Sequence, residues 1–154
     1  MGRYFDELTE GEPFASAPRT VSGADIDAFV RLSGDDNRLH TDDAFAREAG
    51  FKGRIAHGAL VVSIATGLAW STGLLTDTTL AFRTIESWKF SLPVYPGDAV
   101  SLRGRVAEKR PLRHGTGLVR FDLEVVNQHG EVVAGGGLRM LMRSRDYTPR
   151  SSAG

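Results

Sequence analysis

His57-Gly58-Ala59-Leu60-Val61-Val62-Ser63-Ile64-Ala65-Thr66-Gly67-Leu68-Ala69-Trp70-Ser71-Thr72 is the stretch on which the fold turns. Leu60, Val61, Ile64, Ala65, Leu68 and Ala69 recur at three- and four-residue spacing, which predicts a helix from His57 to about Thr72. Its other side carries Ala59, Ser63 and Gly67, small or weakly polar and without charge. A helix with no charged face is buried on most sides, so this one is expected at the centre of the domain. Ser63, Thr66, Ser71 and Thr72 break the apolar run well short of the roughly 18 residues of a membrane span.

Beyond the helix the apolar period drops to two. Val100, Leu102 and Val106 alternate with Ser101, Arg103 and Arg105; Val119, Phe121, Leu123 and Val125 alternate with Arg120, Asp122 and Glu124. Leu138, Met140 and Met142 alternate with Arg139 and Arg143. Such patterns mark half-buried antiparallel strands. Pro96-Gly97-Asp98, His114-Gly115-Thr116-Gly117 and Asn127-Gln128-His129-Gly130 supply the turns between them. Further strands are expected from Leu80 to Phe90 and near Phe14 to Val21, and Gly135-Gly136-Gly137 predicts a bulge or a close backbone approach. A buried helix followed by four meandering strands gives an α+β fold, an antiparallel sheet wrapped around a central long helix. At 154 residues the chain is one domain, expected over residues 1–145, with a small polar tail at 146–154 expected to be disordered.

Ahead of the central helix, Ser22 is placed to cap a helix from Gly23 to about Leu32, and Thr41 to cap another from Asp42 to Ala49, ended by Gly50. Between them runs Leu32-Ser33-Gly34-Asp35-Asp36-Asn37-Arg38-Leu39-His40. This loop holds carboxylates and an imidazole, and His57-Gly58 opens a helix whose first N–H groups have no intrahelical partner. A base, an acid and a preformed anion site are what adding water to an activated double bond requires. On one helix Asp35 and His40 would diverge; on a turn shaped by Gly34 and Asn37 they converge. Gly58 suits the anion site because it has no side chain to obstruct an approaching oxygen. Taken singly, the same residues have plainer readings. Asp35, Asp36 and Asn37 are common turn formers, His40 and His57 common structural histidines, and Gly58 a packing glycine.

Lysine plus arginine equals aspartate plus glutamate at 19 each, which argues against a general nucleic-acid binder. The absence of cysteine excludes disulfides, thiolate zinc sites and a cysteine nucleophile. Met1 to Glu12 is polar and lacks a signal peptide's apolar region, so a cytoplasmic protein away from membranes is expected. Neither metal-ligand spacings nor a nucleotide-binding glycine loop are present, and no metal or organic cofactor is expected.

The run Ser33–His40, with Phe45-Ala46 and Arg54-Ile55-Ala56-His57-Gly58, resembles the signature of the MaoC-like (R)-specific enoyl-CoA hydratases. Trp88-Lys89-Phe90, Pro93-Val94 and Pro96-Gly97-Asp98 are similar to that family's downstream segments, and the resemblance extends from about Tyr4 to Arg143. It implies a hot-dog fold, a homodimer or higher even oligomer, and reversible hydration of trans-2-enoyl thioesters to (R)-3-hydroxyacyl thioesters. The substrate would be an acyl-CoA or an acyl-carrier-protein thioester. Asp35 matches the family's aspartate and is the expected base, with His40 holding the same water and sharing proton delivery; the opposite division of labour stays open. Asn37 would orient the loop, Thr66 would line the acyl pocket, and His57 would stand at the helix start. Arg38 departs from the family, which usually has proline there, and adds a charge for a substrate carboxylate or a CoA phosphate. Arg103, Arg105, Lys109, Arg110 and Arg113 either grip phosphates or form the solvated face of a strand. Two alternatives share the fold. A hot-dog acyl thioesterase would need a carboxylate on the helix or opposite strand, and residues 57–72 contain none. A non-catalytic acyl-binding or partner subunit would not need the intact loop.

Overall fold

The helix at the centre forms where its apolar spacing predicts it. In the computed structural model, which describes residues 2–149, this helix is Gly58–Ser71 (α4), with His57 as its N-cap residue. Leu60, Val61, Ile64, Ala65, Leu68 and Ala69 are all buried, in one core with the inward residues of the strands. Those strands are Ala99–Pro111 (β4), Thr116–Val126 (β5) and Val132–Arg143 (β6). Val100, Leu102 and Val106, then Val119, Phe121, Leu123 and Val125, then Leu138, Met140 and Met142 face the helix, as their alternation predicts. Each such fully buried valine, leucine or phenylalanine contributes about 1.5–3 kcal/mol.

The outward residues of the same strands form ion pairs. Arg139 reaches both Glu86 and Glu108, Arg120 reaches Glu86 and Asp122, and Arg105 reaches Asp122. Arginine bonding holds Glu86 below the usual carboxylate range, with the Arg139 hydrogen bond the largest cause.

Only three of the four expected strands meander. Thr79–Phe90 (β3) follows α4 but pairs with β6, so the main run of the sheet is β4-β5-β6-β3, all antiparallel. The chain must then cross from one edge of the sheet towards the other. Ser91 and Leu92 donate to the Val133 carbonyl and Ala56 donates to that of Val94, which lays this crossover against the start of α4. A pattern of alternating residues records which face is buried, not which strand is the neighbour, and the crossover therefore had no local signal.

The first expected strand is split. Pro13–Ala15 (β1) pairs with Arg103–Arg105, and Arg19–Thr20 (β2) pairs with Ala99–Val100. Pro18 lies in the gap and has no N–H to give the ladder. The glycine triplet answers to both expectations at once. Two residues of β3, Ser87 and Trp88, oppose Gly136 alone between the pairs Glu86–Gly137 and Lys89–Gly135, and Ser87 has φ 50°. The bulge is thus on β3, while a Cβ on Gly136 would stand 2.7 Å from the Trp88 Cα.

Gly23–Ser33 (α1) is capped by Ser22 in a reciprocal box with Asp25. The next helix is displaced from expectation. Thr41 ends a single turn, Arg38–Thr41 (α2), and Asp42 caps Asp43–Glu48 (α3) by accepting the Phe45 N–H at 3.0 Å. Thr41 instead donates from its hydroxyl to the carbonyls of Asp36 and Asn37. Of the tail, residues 146–149 lie against the 114–116 turn, where Thr148 N–H donates to the His114 carbonyl at 3.4 Å. Residues 150–154 lie outside the described residues.

Candidate active site

A left-handed glycine starts the loop that carries the acid–base candidates. Gly34, at φ 77°, ends α1 and turns the chain. Ser33 Oγ accepts the Asp35 N–H, Asp35 Oδ1 accepts the Asn37 N–H at 3.3 Å, and Asn37 Oδ1 accepts the Leu39 N–H at 3.0 Å to cap α2. Asp35 therefore stands on the exposed turn and His40 on the short helix after it, with their side chains brought together. Asp35, His40 and His57 each present a ligand atom within 4.8 Å of the other two.

Backbone carbonyls set the two imidazoles. His40 Nδ1 lies 2.8 Å from the Ile55 oxygen and His57 Nε2 lies 2.9 Å from the Asp35 oxygen. A carbonyl only accepts, so in the neutral rings His40 carries its proton on Nδ1 and His57 on Nε2. His40 Nε2 is then a free lone pair. His57 Nδ1 is buried and has no partner among the described residues. The rings stack, centroids 3.7 Å apart and planes 28° apart. Donor atoms this close would also suit a metal ion.

His40 faces a cleft of about 400 Å³, walled by Phe51, Ile55, Val61, Phe90, Leu92 and Val94. Gly58 also lines it. The first hydrogen bond of α4 runs from Val61 N–H to the His57 carbonyl, which leaves the Gly58 and Ala59 N–H groups without a helical partner. A Cβ on Gly58 would stand 2.9 Å from Phe90 Cζ, so the bare glycine is what lets this ring close over the helix start. Among the described residues, no lysine, arginine, aspartate or glutamate lines the cleft.

Several expected ligand contacts are not formed among the described residues. Arg38 is exposed and bound to Asp42 at 2.7 Å, with its guanidinium 4.4 Å from the centre of the Phe45 ring. It points along α2 and not into the cleft, because Asp42 lies four residues ahead, at the spacing of a helical ion pair. This guanidinium is also the largest reason why the Asp42 carboxyl is held below its usual range. Thr66 donates its hydroxyl to the Ser63 carbonyl at 2.7 Å and does not line the cleft. Asn37 commits its side-chain oxygen to the α2 cap. His57 is 2% exposed between Phe29 and His40 and has no surface for a substrate. Arg103 and Arg105 pair with Glu124 and Asp122, and Lys109 with the Leu8 carbonyl, as on a solvated strand face. The cleft walls at Phe51, Leu92 and Val133 were not singled out from sequence. Phe90 and Val94 fell inside the quoted Trp88–Val94 similarity, which was their one signal; Val133 had none.

Residues 5–128, four-fifths of the chain, match the family model described as MaoC like domain. The chain belongs to the MaoC-like dehydratase family. Among relatives of this MaoC-like chain, an (R)-specific enoyl-CoA hydratase from Rhodospirillum rubrum is 35% identical over 111 residues, 70% of this chain and 74% of the relative. A mitochondrial 3-hydroxyacyl-[acyl-carrier-protein] dehydratase from Arabidopsis thaliana is 31% identical over 115 residues, 75% of this chain and 66% of the relative. Protein MaoC from Klebsiella aerogenes is 33% identical over 112 residues, 73% of this chain; the match spans only 32% of that longer protein. A solved MaoC-like dehydratase from Rhodospirillum rubrum superposes with a TM-score of 0.84 at 27% identity, over 94% of this chain and 99% of that one. A Mycobacterium tuberculosis protein described as a double hot-dog fold gives 0.84 at 25% identity, over 96% of this chain and 46% of that one. The MaoC-like chain thus has the hot-dog fold. Among its described residues no helix is long and apolar enough to cross a membrane.

Proposed function

We propose that this MaoC-like protein is a hydro-lyase that reversibly hydrates trans-2-enoyl thioesters to (R)-3-hydroxyacyl thioesters. The observation that carries the reading is the convergence of the Asp35 side chain on His40, which shares its cleft with Gly58 at the start of α4. Water is a poor nucleophile at neutral pH, and a positioned base must take its proton. A water held between the Asp35 carboxylate and His40 Nε2 loses a proton to Asp35. Hydroxide adds at Cβ, and electron density moves onto the thioester oxygen beside the Gly58 N–H. The proton then returns to Cα through the Asp35–His40 pair, so one water is added and the side chains end as they began. Losing one donor to such an oxyanion raises the barrier by roughly 3–4 kcal/mol.

The reaction needs no metal and no organic cofactor beyond the CoA or carrier-protein pantetheine of the substrate. A cleft walled by apolar side chains, with Arg38 turned onto Asp42, favours an acyl chain without a carboxylate. The working form is a homodimer. Among the described residues one edge of β3 has no partner strand; the strand carries Phe82 and Ile85, each about half exposed, and a second copy would cover them. The test is loss of enoyl-thioester absorbance when purified protein meets crotonyl-CoA, with Asp35→Asn alongside. Turnover that the substitution abolishes supports the reading; release of free CoA from a saturated acyl-CoA would replace it with thioester hydrolysis.

A further inference from the structure

His57 is the buried ionisable side chain that the reaction leaves unused. Its Nδ1 has no hydrogen-bond partner among the described residues, and leaving a buried polar atom unpaired costs about 1–3 kcal/mol. A side chain present only to fill this space would be better apolar. The ring acts instead through its other nitrogen and its face. Nε2–H donates to the Asp35 carbonyl at 2.9 Å, and the face lies on His40 with centroids 3.7 Å apart. Phe29 of α1 packs against it as well, centroids 5.0 Å apart, and contributes no charge.

We propose that His57 is the positioning residue of this site, holding the Asp35 carboxylate and His40 Nε2 at one separation through each turnover. The inference rests on the hydratase reading. The Ser33 and Asn37 bonds hold Asp35 only within its own loop, whereas the His57 bond ties Asp35 to the residue that caps α4. The Ile55 carbonyl fixes one nitrogen of His40, which alone leaves the ring free to tilt about that bond; the stacked face of His57 removes the tilt. Ile55, His57 and Gly58 lie within four consecutive residues. One short segment therefore sets the base, its partner and the oxyanion donors against a common frame. A misplacement of about 1 Å in such a frame costs on the order of a hundredfold in rate.

Two readouts test this, one of which does not need activity. A long-range 1H–15N spectrum of the histidine rings at neutral pH is expected to show His57 as the Nε2–H tautomer and His40 as the Nδ1–H tautomer. His57 protonated on Nδ1 instead would overturn the proposal. In crotonyl-CoA turnover, His57→Leu removes both contacts and is expected to lower kcat by about a hundredfold with KM little changed. His57→Gln keeps an N–H able to reach the Asp35 carbonyl but has no ring face, and is expected to recover part of that loss. Wild-type kcat in a folded Leu variant, or no recovery in Gln, contradicts the positioning role. If the Leu variant does not fold, Gln and the spectrum decide, an unchanged kcat in Gln counting against the proposal. Absence of hydration by the wild-type protein would remove the hydratase reading, and the ring spectrum would still test the geometry.

Discussion

Asp35 and His40 are five positions apart, and their meeting depends on Gly34 taking a left-handed conformation and on Asn37 opening a new helical turn. Asp35→Asn and His40→Ala are each expected to lower kcat by about 10²–10⁴-fold, the range of a lost general acid or base, with the fold kept by circular dichroism. These two residues were legible because glycine, asparagine and the flanking caps are themselves local signals. The direction of Arg38 was less so. Its charge suggested a ligand, while Asp42 four residues on was the partner it took. Arg38 is the first residue of α2, a position where a proline ring fits without removing a helical hydrogen bond. Arg38→Pro is therefore expected to retain turnover and KM. Its effect on stability should stay within about 1 kcal/mol in thermal unfolding, since a restricted unfolded chain adds about 0.4–1 kcal/mol and the lost exposed ion pair removes about 0.2–1 kcal/mol.

At the scale of single elements, end signals located the helices well and the strands less well. Ser22 accepts the Asp25 N–H, and Asp25 accepts the Ser22 N–H. Ser22→Ala is expected to cost about 1 kcal/mol in chemical denaturation. The Ser22 backbone N–H is the largest cause holding the Asp25 carboxyl below its usual value. A depressed folded pKa gives stability that is present above the ordinary carboxylate value, about 4, and lost as pH falls towards and below the folded one. The stability gap between wild type and Asp25→Asn should accordingly be larger at pH 7 than at pH 3. At the start of α4, Gly58→Ala places a methyl against Phe90, whose ring tip is exposed enough to move. Its melting temperature should change little while kcat/KM for crotonyl-CoA falls by up to about 10²–10³-fold, because the methyl obstructs the oxygen's approach to a backbone N–H that alanine keeps. Thr41 and Asp42 were harder to tell apart as caps because both residue types cap well. The break at Pro18 was readable in principle, since proline cannot donate to a central ladder.

Across the whole molecule, the core residues were legible and the strand order was not. Alternation shows which side chains face α4, but β3 pairing with β6 is a long-range choice made after the crossover at residues 91–98. That choice leaves β3 at an edge, exposing Phe82 and Ile85. Sedimentation should show a dimer for the wild type and a monomer for Phe82→Glu combined with Ile85→Lys. An unchanged dimer would move the interface elsewhere. The central claim is hydration at the Asp35–His40 pair, and its most direct measurement is enoyl-thioester absorbance on adding crotonyl-CoA to wild type, Asp35→Asn and His40→Ala in parallel. Loss of absorbance with wild type and its near-abolition in both variants is the predicted result. Wild-type turnover in both folded variants would contradict it.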